Sequence, residues 1–184
     1  MLFRSLQSRV QLTRAEIGAG FDRTIIVSTR PLMTDQLQLL NARADDTAAR
    51  NKLNAVARSF LQGGITAIAF YSKDGQEMTR VGVFAQQPEL AVPLNFPGHV
   101  QLMWDGQLLL HAVVEIKKEG RVVGKVMTET SLPATMGAIK DVHLLGETGE
   151  QALCAPFGLN MQCFPTALNP KIITPPQKIG RAHV

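Results

Sequence analysis

The chain has 184 residues, 45% of them apolar and 18% charged, with a formal net charge of +4. This is enough apolar material for one packed domain and part of a second, and too little charge for a disordered polyelectrolyte. The longest apolar runs, Ile65 to Tyr71 and Leu108 to Val114, are far too short to span a bilayer, and no segment reads as a signal peptide.

The two ends look foreign. Met1-Leu2-Phe3-Arg4-Ser5 resembles the translation of a short-read sequencing adapter, and residues 179–184 resemble the matching adapter read in the other direction. Residues 1–5 and 179–184 are therefore expected to be artefactual, and the native stretch, from about 6 to 178, a fragment of a longer gene. Without Arg4 and Arg181 the 19 basic residues become 17 against 15 acidic ones, so the net charge falls to +2. No basic cluster with interleaved aromatics accompanies that charge, which speaks against nucleic acid as a partner.

From Leu6 to about Ser28, the residues Leu6, Val10, Ile17, Phe21 and Ile25 recur near helical spacing, with charged residues between them. They predict a long amphipathic helix, weakened by Gly18 and Gly20 and ended or kinked by Pro31. A short helix follows over Leu32 to Leu40. Asp45 or Asp46 caps the next helix, in which Leu53, Val56, Ala57, Phe60 and Leu61 keep helical spacing and Gly63-Gly64 supplies the stop.

The period then changes to two. Strands are predicted over Ile65 to Ser72 and Glu77 to Phe84, joined by a turn at Lys73 to Gln76. A polar, proline-containing loop covers Ala85 to Gly98. Strands at Val100 to Trp104, Gln107 to Lys117 and Arg121 to Thr130 complete a five-stranded antiparallel sheet in an α+β domain. Ser131 is read as the cap of a short helix to about Val142. Gln151 to Ala155 and Met161 to Phe164 form a further hairpin, which is marginal alone and implies a second module cut short.

Within this frame "GRVVGKVMTETSL" (Gly120 to Leu132), "TAIAFYSKDGQEMTRVG" (Thr66 to Gly82) and "LLGETGEQALCA" (Leu144 to Ala155) resemble segments of extracytoplasmic Cache (PDC, PAS-like) sensor domains of the double Cache type. The first resembles the closing strand, with Glu129 in an aspartate's place. The second resembles the first hairpin, and the third the opening of the second module. The resemblance implies a membrane-distal sensor module at 6–131 and the start of a second at 132–178. It also implies a PAS-like sheet backed by the long N-terminal helix, which continues from a membrane span.

Such modules bind small molecules, and Arg80 stands where amino-acid-binding members carry a carboxylate-binding arginine. Here Gly82 and Val83 replace the aromatic residues that usually follow. The ligand expected is therefore an unidentified metabolite or anion. Further candidate ligand-binding residues are Tyr71, Trp104, His111 and Glu129. Each also has an ordinary account: a surface strand arginine, core or rim aromatics, a structural histidine, an exposed carboxylate. Alternation gives Leu108, Leu110, Ala112, Val114 and Ile116 an apolar face. Gln107, His111, Val113 and Glu115 form a mixed one, with Arg121, Val123, Lys125, Met127 and Glu129 on the next strand.

Cys154 and Cys163 face one another across the expected hairpin, and a disulfide in an oxidising compartment is expected ahead of the alternative, two free thiols. No metal site is expected, since a second Cys or His pair is missing nearby. The glycines of Gly146 to Gly149 lack the Lys-Ser/Thr and the βαβ frame of a phosphate loop and read as turn formers. No cofactor and no catalytic residue are assigned.

The expected function is an extracytoplasmic ligand-sensing region of a bacterial membrane receptor, a homodimer through the long helix. It would lie on the outer side of the inner membrane, with flanking spans and a cytoplasmic output beyond the fragment. That output would be of diguanylate cyclase, histidine kinase or chemotaxis type. Two alternatives stand beside it: a ligand-free dimerisation module, and a soluble cysteine hydrolase using Cys154 with His143 or His111.

Overall fold

Pro31 divides the N-terminal helical region as its chemistry requires. In the computed structural model α1 spans Leu2–Thr29 and α2 spans Pro31–Ala42. Arg30 between them is extended (φ −69°, ψ 125°), the backbone that proline imposes on the residue before it. The structure describes residues 2–140, 152–157, 159–166, 169–172 and 174. They divide into two compact units, Thr13–Leu132 and the pair of segments Met1–Leu12 and Pro133–Val184.

In the larger unit α3 (Thr47–Leu61) starts at Asp46, whose side chain accepts the Ala49 N–H at 2.9 Å. Leu53 and Ala57 are fully buried, and Val56, Phe60 and Leu61 pack partly against the same core. Six strands follow: β1 (Ile65–Ser72), β2 (Glu77–Gly82), β3 (Leu90–Pro93), β4 (His99–Trp104), β5 (Leu108–Lys118) and β6 (Arg121–Ser131). They form one antiparallel sheet in the order β2-β1-β6-β5-β4-β3. The fold class is the α+β arrangement expected, a helix-backed antiparallel sheet, with six strands in place of five.

The extra strand, β3, lies in the stretch read as a polar loop. Its short Leu90–Pro93 run pairs along one side only, with β4, so a proline at its end disturbs no second ladder. Strand β2 stops at Gly82 and not at Phe84. Gly82 has φ +82°, and a Cβ there would lie 2.2 Å from the Thr66 carbonyl oxygen, so the chain turns where only glycine fits. Ser131 is the last residue of β6, paired with Leu109. It does not open a helix; α4 (Pro133–Lys140) begins two residues later at a proline.

One face of the sheet belongs to the helices. Ile68, Phe70, Val126 and Ile116 are buried in a core with Met33, Leu37 and Leu40 of α2 and Leu53 and Ala57 of α3. Helix α1 lies on the same face: the Thr24 and Thr128 hydroxyls meet at 2.6 Å. At Gly20 an added Cβ would come within 2.8 Å of the Leu110 side chain. Gly20, a weak helix former, is thus the point of close approach between helix and sheet. Val123, expected on the mixed face, joins the helix-side core, because the β5–β6 register shifts between Ile116 and Lys117.

The smaller unit contains the first turns of α1, α4, and a hairpin of β7 (Cys154–Phe157) and β8 (Asn160–Cys163). Within it the Arg9 guanidinium donates to the Ala138 carbonyl at 2.7 Å. Cys154 and Cys163 are cross-strand partners joined by a disulfide. The Gly146–Glu150 stretch and His143 lie outside the described residues.

Candidate functional site

The face of the sheet turned away from the helices carries four of the five predicted ligand-binding residues. Cross-strand partners share a face, so one row reads Gly82, Ala67, Glu129, His111, Gln101 and a second Arg80, Ala69, Met127, Val113, His99. Tyr71 stands in the next row, beside Lys125 and Glu115. Trp104 is not among them. Its partners are Leu90 and Leu108, and Leu108 alternates with the helix-side residues Leu110 and Ala112.

Glu129 is the most constrained of the group. Its side chain is 2% exposed, and both carboxylate oxygens are engaged: Oε2 accepts the Ala85 N–H at 2.9 Å and Oε1 lies 3.3 Å from His111 Nδ1. A carboxylate taken from water needs such partners. The expectation of an exposed carboxylate is thereby replaced. The Ala85 contact holds the chain after β2 onto this face, where Phe84 packs on the small residues Ala67 and Ala69.

Arg80 is exposed and its fork is occupied. Nε lies 3.1 Å from Glu77 Oε1 and Nη2 2.5 Å from Glu77 Oε2, and the guanidinium stands over the Phe84 ring at 5.0 Å. The Tyr71 hydroxyl donates to Glu77 at 3.3 Å. Arg80's hydrogen bonds hold the Glu77 carboxyl below the ordinary glutamate range, and the same bonds raise Arg80. Burial, and then the Glu77 charge, raise the Tyr71 phenol.

A depressed carboxyl contributes stability above its unfolded value, about 4.3, that is lost as the pH falls through the lower folded value. The urea midpoint of Glu77→Gln is accordingly expected just below that of the wild type at pH 7, with the gap closing below about pH 4. The pair is half exposed, so the gap is small.

Glu77, Phe84 and the Ala85 amide were not legible as site groups. In a regular strand residues three apart point to opposite faces. Glu77 and Arg80 share a face because the β1–β2 register shifts between Phe70 and Tyr71.

A cleft of about 620 Å³ opens in the larger unit where the far end of this face, at His99, Val113, Glu115 and Lys125, meets the last turn of α1. Ile25, Gly98, Val113, Val114, Lys117 and Lys125 line it, and none of the five predicted residues does. Among the described residues no group of three or more His, Cys, Asp or Glu is placed to hold a metal ion, and no helix is long and apolar enough to cross a membrane.

No protein-family model and no curated protein matches the sequence. Solved structures similar to the chain include the sensory domain of the Campylobacter jejuni chemoreceptor Tlp3, at 11% identity over 88% of this chain and 88% of that chain, TM-score 0.43. The ligand-binding domain of the Pseudomonas fluorescens chemoreceptor CtaA is similar in its complex with L-alanine, at 15% identity over 94% and 93%, TM-score 0.40. In its complex with L-valine the values are 18% over 81% and 71%, TM-score 0.34. Values this low assign neither a family nor a ligand to this chain.

Proposed function

We propose that the chain is an extracytoplasmic ligand-sensing region of a bacterial transmembrane receptor. A small molecule held on the open face of the sheet would bias the position of α1. The long helix would pass that displacement through the inner membrane to a cytoplasmic output of cyclic-di-GMP enzyme, histidine kinase or chemotaxis type. In this reading residues 6–131 are the membrane-distal Cache module and 132–178 the start of the second, with the receptor dimerising through α1.

The observation that carries the proposal is the division of the sheet. Its helix side is filled with buried apolar residues, whereas the other side presents Tyr71, Arg80, His111 and Met127 half-buried or exposed around the buried Glu129. The fold seals the second face only where Phe84 covers Ala67 and Ala69 and where Glu129 meets Ala85, and leaves the rest of it open. The Cys154–Cys163 disulfide agrees with an oxidising compartment. It also weighs against the cysteine hydrolase, because a sulfur bonded to sulfur supplies no thiolate. The ligand-free dimerisation module keeps one supporting observation, that Glu77 and Arg80 already satisfy each other.

A thermal-shift screen of amino acids, other carboxylates and phosphate esters separates the two. A ligand at 100 times its Kd adds about 2.7 kcal/mol. The sensor reading expects a shift of several degrees that Arg80→Ala or His111→Ala diminishes. A flat response across the library, unchanged in both variants, would leave the scaffold reading in place.

A further inference from the structure

We infer that the cleft at the end of the sheet is a second binding site, selective for a small amphiphilic monocarboxylate. Strand β5 outruns its neighbour: the β4 pairing ends with His99 opposite Val113, so Val114 to Lys118 pair with β6 but, among the described residues, have no strand on their other side. The space left by the missing strand is the cleft, bounded opposite by the last turn of α1. Its volume, about 620 Å³, is that of a small-molecule site.

The chemistry of the lining selects the ligand. Ile25, Val113 and Val114 offer an apolar wall, which suits a hydrocarbon body and not a bare inorganic anion. The charged groups are Glu115, Lys117 and Lys125. Lys117 pairs with Glu115 at 3.1 Å. Lys125 is the cross-strand partner of the same Glu115, and among the described residues it has no ion pair of its own. Two ammonium groups thus share one carboxylate, leaving one positive charge uncompensated beside an apolar wall. That matches one negative head group and not two.

The α1 side offers no competing donor for the head group. The Ser28 and Thr29 hydroxyls already donate to the Ile25 carbonyl, at 2.8 and 2.9 Å. The head therefore lies toward Lys125 and the body toward Ile25. Because the last turn of α1 forms one wall, occupancy of the cleft also bears on the helix through which the proposed signal runs; this consequence alone rests on the receptor reading.

Titration of the whole chain with hexanoate, followed by calorimetry and amide chemical shifts, tests the site. Hexylamine and succinate serve as the wrong-charge and dianion probes. Saturable binding of hexanoate alone is expected, with the largest shifts at residues 25–29 and 113–117. Lys125→Glu should weaken it about tenfold or more, the value of one charge-assisted contact, while Arg80→Ala leaves it unchanged. Val113→Trp, which fills the cleft, should abolish binding.

No saturation with hexanoate, equal binding of hexylamine, or full affinity in Lys125→Glu would each overturn the inference. Loss of hexanoate binding in Arg80→Ala with retention in Lys125→Glu would move the site from the cleft to the Arg80 end of the open face. That outcome would refute the cleft and support the sensor reading. Circular dichroism of Lys125→Glu checks that the exposed substitution leaves the fold intact.

Discussion

Phe70→Ala is expected to lower the unfolding free energy by about 3–5 kcal/mol, whereas Tyr71→Ala, one residue along, costs about 1 kcal/mol. The contrast follows from alternation. Phe70 is fully buried on the helix side, opposite Val126 in β6 and in one cluster with Met33, Leu37 and Leu53. Removing its ring opens a cavity that α2 and α3 cannot both close. Tyr71 points to the other face, with its hydroxyl beside the exposed Glu77. Urea unfolding of the two variants measures the difference. Equal losses would mean that both faces are packed alike.

The second large effect is expected at Glu129. Glu129→Leu roughly conserves volume but leaves the part-buried Ala85 N–H without an acceptor and His111 without its carboxylate. An unsatisfied donor costs about 1–3 kcal/mol when buried and falls toward the low end when part-buried, and the lost charged partner adds to it. Glu129→Gln retains an oxygen for Ala85 and should cost less than half as much. The readout beyond stability is the exchange of the Ala85 amide, accelerated in the leucine variant and little changed in the glutamine variant. Equal costs for the two variants, or an Ala85 amide indifferent to both, would contradict the role given to the carboxylate.

The parts of the fold set by local chemistry were legible in the sequence. Pro31 separates two helices, Asp46 caps the third, and the apolar run Ile65 to Ser72 between turn signals is a strand with the bounds expected. The parts set by partners were not. Strand β3 has only four residues, ends in a proline and exists because β4 offers it an edge. Val123 changes sides, and Glu77 comes level with Arg80, through register shifts that strict two-residue alternation cannot anticipate.

The candidate site divided in the same way. His111 and Glu129 fell on one face by counting along strands, whereas Arg80 came from the resemblance and Tyr71, like Trp104, from its residue type. Trp104 was chosen for its residue type, and its register with Leu108 sends it to the helix side. That Glu129 is buried depends on the Ala85 amide, 44 residues away in sequence, and no local pattern announces such a contact. The cleft likewise exists because β4 is shorter than β5, a difference in length that appears only once the strands are paired.

The receptor reading needs a sheet with one side sealed throughout and the other accessible beyond the patch that Phe84 covers, and cysteine labelling at two adjacent positions tests this most directly. Val126→Cys and Met127→Cys, each in the disulfide-intact protein, are treated with a water-soluble maleimide under native conditions. The account predicts rapid labelling at position 127, slowed by any ligand of the open face, and no labelling at position 126 until the protein unfolds. Rapid labelling at position 126, or a position 127 that stays silent in the native protein, would contradict it.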